Sequence, residues 1–212
     1  MSAATEAFAA HKNISIKRIM IVGQPGSGKS TLAAVLGKRT GLPVIHIDKI
    51  HWQPGWIERS TVEKTRLCRE AEQQEEWIFE GGHSITWPSR LARADMLIWI
   101  DRPASLRLWR VLRRAVLGLG QTRPDMADNC PERLRSLPEF FNYIWKTRES
   151  GSAKIARLAA LAPVGCEVVR ITSNADAEKF VAKFAPLCPL STQSGHSITS
   201  LRALSRTLDR PC

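Results

Sequence analysis

The stretch Gly23-Gln24-Pro25-Gly26-Ser27-Gly28-Lys29-Ser30-Thr31 constrains this chain more than any other. It follows Ile19-Met20-Ile21-Val22, a β-branched apolar run that reads as a buried strand. It opens Lys29 to Arg39, where Leu32, Val35 and Leu36 recur at helical spacing until Gly41 supplies the stop. A GxxxxGK[ST] loop between strand and helix turns successive backbone N–H groups inward and adds the positive end of the new helix. The expected phosphate cradle comprises Gly23, Pro25, Gly26, Ser27, Gly28, Lys29, Ser30 and Thr31. Lys29 would reach between β- and γ-phosphates, and the Ser30 hydroxyl would ligate Mg²⁺. Nucleoside triphosphate binding follows from this setting. Transfer to an acceptor does not, because switches, pumps and motors share the cradle.

The rest of the chain alternates in the same way. Pro43 to Ile47, Trp77 to Phe79, Met96 to Ile100 and Val168 to Ile171 are further strand candidates. Helical patterns cover Glu58 to Glu76, Pro103 to Leu117, Leu134 to Leu161 with a break near Gly151, and Asp176 to Phe184. This rhythm specifies an α/β, doubly wound parallel sheet. At 212 residues it forms one substantial core, too short for two ordinary domains. We expect a flexible leader at 1–15, a domain at 16–186 and a tail at 187–212, mostly outside the core. The segment 118–138, rich in Gly and Pro, is too long for a routine connection and reads as a lid or a disordered insert.

Thirty-one Lys and Arg against twenty Asp and Glu give a formal charge of +11. That balance suits phosphate-rich small molecules or a nucleic-acid backbone and does not separate them. Five cysteines form no CxxC pair, so we expect free thiols in a cytoplasmic protein. The first twelve residues lack the pattern of a secretory signal. No apolar run approaches the ~20 residues of a membrane-spanning helix. The chain is expected to act as a monomer or homodimer without a membrane partner.

A phosphotransferase needs, besides the cradle, a metal anchor, an acceptor site and positive charge that closes over the reacting oxygens. Asp48 follows a strand candidate, where open sheets place their chemistry. It would orient an acceptor hydroxyl, accept from a water of the Mg²⁺ shell, or cap the next turn. Glu80 is a second water-mediated Mg²⁺ partner, or a turn cap. Asp101 fits a direct metal role or a helix cap equally well. Gly81 and Gly82 admit a ligand close to the backbone, as would a plain turn, and His83 offers a polar contact. Trp52 and Trp56 frame Pro54-Gly55, either as a pocket wall or as packing under a short insert. Between Arg102 and Arg157 stand twelve Arg and Lys against five Asp and Glu. Arg110, Arg113, Arg114 and Arg123 would gather on a triphosphate as the insert closes; the bland account is a solvated basic helix.

These pieces together resemble the adenylate kinase-like P-loop proteins labelled DNA topology modulation proteins. The resemblance runs from Gly23 to about Asn174. It rests on Leu42-Pro43-Val44-Ile45-His46-Ile47-Asp48, His51-Trp52, Pro54-Gly55-Trp56 and Trp77-Ile78-Phe79-Glu80-Gly81. Trp109-Arg110-Val111-Leu112-Arg113-Arg114 and Thr122-Arg123-Pro124-Asp125-Met126 complete it. It implies a P-loop NTPase three-layer sandwich, a five-stranded parallel sheet of order 2-3-1-4-5, nucleoside monophosphate kinase-like with a lid. It further implies ATP as nucleotide, Lys29 as the phosphate-loop lysine, and Arg113 and Arg123 as phosphate contacts. Arg114 joins them, and Arg170 with Ser173 would flank the adenine. Related adenylate kinases carry an arginine shortly after the glycine equivalent to Gly81. Here that place is Ser84, with Arg90 as a more distant substitute. The expected activity is Mg²⁺-dependent phosphorylation of a nucleoside monophosphate or small hydroxylated metabolite. The rivals are a nucleic-acid-associated ATP-dependent regulator and a nucleotide-controlled partner-binding ATPase.

Overall fold

In the computed structural model, residues 16–184 are described. The leader at 1–15 and the tail at 187–212 lie outside them. Strand β1 (Arg18–Gly23) leads through the phosphate loop into α1 (Lys29–Thr40). Then come β2 (Val44–His46), α2 (Ile47–His51), a hairpin of β3 (Trp52–Gln53) and β4 (Ile57–Glu58), and α3 (Thr61–Glu72). The middle of the chain holds β5 (Trp77–Glu80), α4 (Trp87–Arg93), β6 (Met96–Ile100) and α5 (Ala104–Leu117). It closes with α6 (Leu137–Lys146), α7 (Arg148–Ala160), β7 (Glu167–Ile171) and α8 (Asn174–Ala182).

The main sheet runs β2-β5-β1-β6-β7, all parallel. Counting only its own strands, the order is 2-3-1-4-5, as the resemblance implies. Register pairs Met20 with Phe79 on one side and with Leu97 on the other. Strands enclosed by helices on both faces are apolar throughout, and β5 and β6 are buried at every position. Ile19, Ile21, Ile78 and Ile98 face one layer with Leu32 and Leu36 of α1 and Phe180 of α8. Met20, Val22, Phe79 and Leu97 face the other with Trp87 and Leu91 of α4 and Ile155 of α7. Two-residue alternation along buried strands thus sorts the core into two halves.

Helix ends follow local chemistry. The Ser60 side chain accepts from the Glu63 N–H and starts α3, while Ser173 and Asp176 form a reciprocal capping box at α8. Several expected boundaries move. The helix anticipated over Glu58 to Glu76 begins only at Thr61, because Ile57 and Glu58 return as a hairpin strand against Trp52 and Gln53. The long pattern from Leu134 to Leu161 divides at Thr147, not near Gly151; Gly151 lies within α7, packed on the Gln24 side chain. Neither α2 nor α4 was anticipated from periodicity, since five- and seven-residue helices hardly complete a pattern. The 118–138 segment is a folded loop: Leu119 bridges Glu132 and Thr122 bridges Pro131. Among the described residues no helix is long and apolar enough to cross a membrane.

Gly81, just past β5, shows how tightly the strand ends approach the cleft. Its φ is +113°, and a Cβ there would overlap Ile47 Cγ2. Gly81→Ala is therefore expected to lower stability by about 2–4 kcal/mol, through backbone strain and overpacking together. Urea unfolding of the two proteins measures the difference.

Candidate active site

A cleft of about 1350 Å³ opens at the carboxyl ends of β1, β2 and β5. Open parallel sheets form such crevices where the chain turns from strand to helix. The phosphate loop is its floor. Gly26, at φ +76°, lets the loop lie against α5, where a Cβ would come 2.6 Å from the Arg107 carbonyl oxygen. Arg107 is buried, donates to the Arg102 carbonyl and reaches the Pro25 carbonyl at 3.5 Å. Arg110 donates to the Ser27 carbonyl at 3.2 Å and to Asn174 Oδ1 at 2.9 Å. On the opposite side the Gln24 amide donates to the Thr147 and Arg148 carbonyls, tying the loop to the junction of α6 and α7. Lys29 Nζ donates to the Gln24 carbonyl at 3.2 Å, so its ammonium is held over the loop.

Carboxylates stand beside this floor. Glu80 is 1% exposed. Its Oε1 accepts from Ser30 Oγ at 3.1 Å and lies 2.9 Å from His46 Nδ1. Asp48 is half-buried in the first turn of α2. Burial raises its pKa, the Glu80 charge raises it further, and Arg123 and Lys29 counteract both. A carboxyl whose charge is disfavoured by burial but supported by flanking cations is typical of a functional cleft. No cluster of three or more His, Cys, Asp or Glu that could hold a metal occurs among the described residues. Mg²⁺ does not need one: it keeps several waters and takes one or two protein oxygens together with phosphate oxygens. The Ser30 hydroxyl beside the Glu80 carboxylate fits that demand, with Asp48 close enough to couple electrostatically.

Opposite the loop, Asp48, His51, Trp52, Trp56, Gly82, His83 and Ser84 line the cleft. Trp52 and Trp56 pack edge to face, 5.2 Å between centroids. Burial lowers the pKa of His51 and of His83, and the Lys64 ammonium lowers both further. The hairpin carrying the tryptophans is clasped to the 118–138 loop. Trp56 Nε1 donates to the Pro131 carbonyl, Trp56 N–H to Cys130 Sγ, and Gly55 N–H to the Asn129 carbonyl. The folded insert is thus fastened to the hairpin that lines this side of the cleft.

The arginine stripe faces inward as a group. Arg113, Arg114 and Arg123 all line the cleft. Glu132 holds Arg114 at 3.0 Å and Arg123 at 2.8 Å, and Asp125 holds Arg123 at 2.8 Å. Burial, followed by the Arg123 charge, lowers the pKa of Arg114. Arg113 has no ion pair or hydrogen bond among the described residues.

Four expected site residues do not line the cleft. Arg90 is fully buried, with its guanidinium 3.7 Å from the Phe79 ring centroid and hydrogen bonds to Thr86 Oγ1 and the Gly81 carbonyl. It supports the Gly81 turn from behind, because α4 turns it into the core. Arg170 lies over Trp99 and pairs with Asp101 on the outer part of the sheet, so neither reaches the phosphate loop. Ser173 is consumed by capping α8; its neighbour Asn174 lines the cleft instead. Ser27 is buried within the loop. Asp125, Glu132, Phe140, Tyr143 and Lys154 also line the cleft and escaped the sequence reading as site residues. Asp125 alone had a signal, its place directly after Arg123-Pro124.

In sequence the chain matches no family model and no curated protein. In structure, shikimate kinase from Acinetobacter baumannii in complex with shikimate aligns with a TM-score of 0.51 at 17% identity, covering 80% of this chain and 90% of that one. The chain has a P-loop kinase fold. Shikimate kinase from Bacteroides thetaiotaomicron gives 0.48 at 13% identity, over 80% of this chain and 96% of that one. Deoxyadenosine kinase from M. mycoides gives 0.42 at 12% identity, over 78% and 97%.

The environment of Asp48 sets a sign for stability. A folded-state pKa raised above the unfolded value means that the ionised carboxylate opposes folding, increasingly as pH rises through that pKa. Asp48→Asn should therefore be more stable than the parent protein at neutral pH. The advantage should vanish as pH falls toward 3.8, the ordinary value. Urea midpoints of both proteins across that range check the sign.

Proposed function

We propose that this protein is an ATP-dependent, Mg²⁺-requiring phosphotransferase acting on a small acceptor. The observation that carries the reading is the convergence on one cleft of Lys29, the Ser30–Glu80 pair, Asp48 and three arginines. A cradle alone would suit any nucleotide-binding protein. A second pocket with a carboxylate facing that cradle, under a basic cover, is what transfer to an acceptor requires.

The phosphate-loop amides and Lys29 hold the β- and γ-phosphates, with the γ-phosphate toward Asp48 and Gly81. Ser30 and, through water, Glu80 would hold Mg²⁺. When bound there, Mg²⁺ neutralises phosphate charge and polarises the phosphoryl group. Asp48 accepts the hydrogen bond of the acceptor hydroxyl and aligns its oxygen with the phosphorus. Arg113, Arg114 and Arg123 stabilise charge on the equatorial oxygens as the phosphoryl group passes across. The clasp between the tryptophan hairpin and the insert keeps water from competing as acceptor. The reading carries with it an intracellular, cytoplasmic setting where ATP is abundant.

Lys29→Met is expected to lower kcat/KM about 10³-fold, the loss typical of one transition-state donor. Arg113→Ala should do likewise within about tenfold of that value. The decisive experiment incubates the protein with γ-labelled ATP and Mg²⁺ and follows both labelled product and free phosphate. Saturable, Lys29-dependent transfer to an acceptor supports the kinase; hydrolysis insensitive to every acceptor would replace it with an ATPase.

A further inference from the structure

The acceptor end of the cleft has a chemical character that the kinase reading leaves open. Its buried polar groups are acceptors of hydrogen bonds. Asp125 is 3% exposed and lines the cleft; Oδ2 holds Arg123, while Oδ1 is buried without a hydrogen-bond partner. The Asp125 charge adds, after burial and Glu80, to the cost of ionising Asp48. An unpaired carboxylate oxygen out of water costs about 1–3 kcal/mol or more, a cost that a donor brought to it by a turn of the side chain would remove.

The cations near this end are engaged or solvated. Arg90 is turned into the core. Arg114 and Arg123 are paired to Glu132 and Asp125, and Lys64 is buried on Glu58. Arg133 and Lys154 are exposed; Arg133 lies over Trp56 and Lys154 donates to Ser84 Oγ. Arg113, which has no ion pair among the described residues, sits on α5 three residues after Arg110, and it is Arg110 that contacts the phosphate loop. A dianionic acceptor phosphate beside Asp48 and Asp125 would face both carboxylates and would gain Arg123 only by displacing Asp125 and Glu132 from it. The tryptophan pair and the two imidazoles supply apolar faces and uncharged polar edges.

We infer that the acceptor is an uncharged polyhydroxyl compound whose hydroxyls donate to Asp48 and Asp125 while its carbon–hydrogen face rests on Trp52 and Trp56. This rests on the kinase reading above. One hydroxyl, on Asp48, becomes the nucleophile: its oxygen forms the new bond to the γ-phosphorus, the bond from that phosphorus to the β–γ bridging oxygen breaks, and ADP leaves. The hydroxyl proton passes to Asp48 or onward to the phosphate product. A neighbouring hydroxyl, on Asp125, fixes which oxygen attacks.

The test uses the full chain with γ-labelled ATP and Mg²⁺. Uncharged acceptors (glycerol, ribose, glucose, inositol, adenosine, thymidine) are set against their monophosphates and against the acids shikimate and gluconate. Transfer confined to an uncharged member is expected. Asp125→Asn should then raise KM for that acceptor about tenfold, as loss of a hydrogen bond to a charged group does, and shift KM for ATP by less, through its ion pair with Arg123. Transfer to a monophosphate or an acid, or an Asp125→Asn protein with unchanged acceptor KM, overturns the inference. So does absence of transfer to every uncharged acceptor. The failures are distinguishable: transfer to a monophosphate or an acid sinks this inference alone, whereas calorimetric binding of ATP and Mg²⁺ without transfer to any acceptor, or no binding at all, sinks the phosphotransferase with it. Should Asp125→Asn fail to fold, Trp52→Ala reports the same split between the two KM values.

Discussion

The cleft depends on a loop that has almost no side chains with which to hold its own shape. Gly26 and Gly28 both sit at positive φ, so the backbone between β1 and α1 is free to curl and equally free to uncurl. What fixes it comes from elsewhere in the chain. The carbonyl groups of Pro25 and Ser27 are met by Arg107 and Arg110 from α5, and Gln24 anchors the other flank to the start of α7. The two arginine contacts hold loop carbonyls toward α5, and the Gln24 side chain ties the other flank to α6 and α7. Two guanidiniums are thereby spent as scaffold, and a basic helix contributes as much to the loop's shape as to the cleft's charge.

The same division of labour explains the carboxylates. Glu80 lies at the end of a strand buried at every position, a place where a bare carboxylate would be costly. Ser30 and His46 meet it from α1 and β2, the two elements that follow and flank the phosphate loop. A negative charge is thus kept beside the ammonium side of the cradle by groups whose own positions derive from the sheet order. Asp48 is held more loosely, on a five-residue helix, with burial and Glu80 opposing its charge and Arg123 and Lys29 favouring it. Its charge is therefore set by a balance of opposing neighbours, whereas Glu80 is built into the frame.

Much of this was readable from residues alone. The phosphate loop announces itself through spacing, and short apolar runs ending in Gly23, Asp48, Glu80 and Asp101 mark the strand ends. Alternation of those runs with helices leads to the doubly wound sheet, while the order of its strands came from resemblance. Individual side chains were less legible where direction, not position, decides. Arg90 and Arg113 are both arginines on helices near the site, yet α4 turns one into the core and α5 turns the other into the cleft. Ser173 and Asn174 are neighbours, but capping geometry takes the first and leaves the second lining the cleft. Pairing was also hidden: the partners of Arg114 and Arg123 stand up to eighteen residues away, at Glu132, across a loop whose closure no period reveals.

That closure decides how the basic cover can act. A buried guanidinium without a counter-charge would cost several kcal/mol, and three placed side by side would repel one another. Glu132, shared between Arg114 and Arg123, relieves both burdens before any nucleotide arrives. A triphosphate entering the cleft therefore does not meet naked charge; it competes with carboxylates already in place. Its advantage lies in charge density and in the amides and Lys29 that Glu132 cannot reach. Net attraction is then smaller than a count of arginines suggests, but it is specific. An anion that spans the phosphate loop and the arginines together would draw on both sets of donors at once, which a lone surface anion could not do.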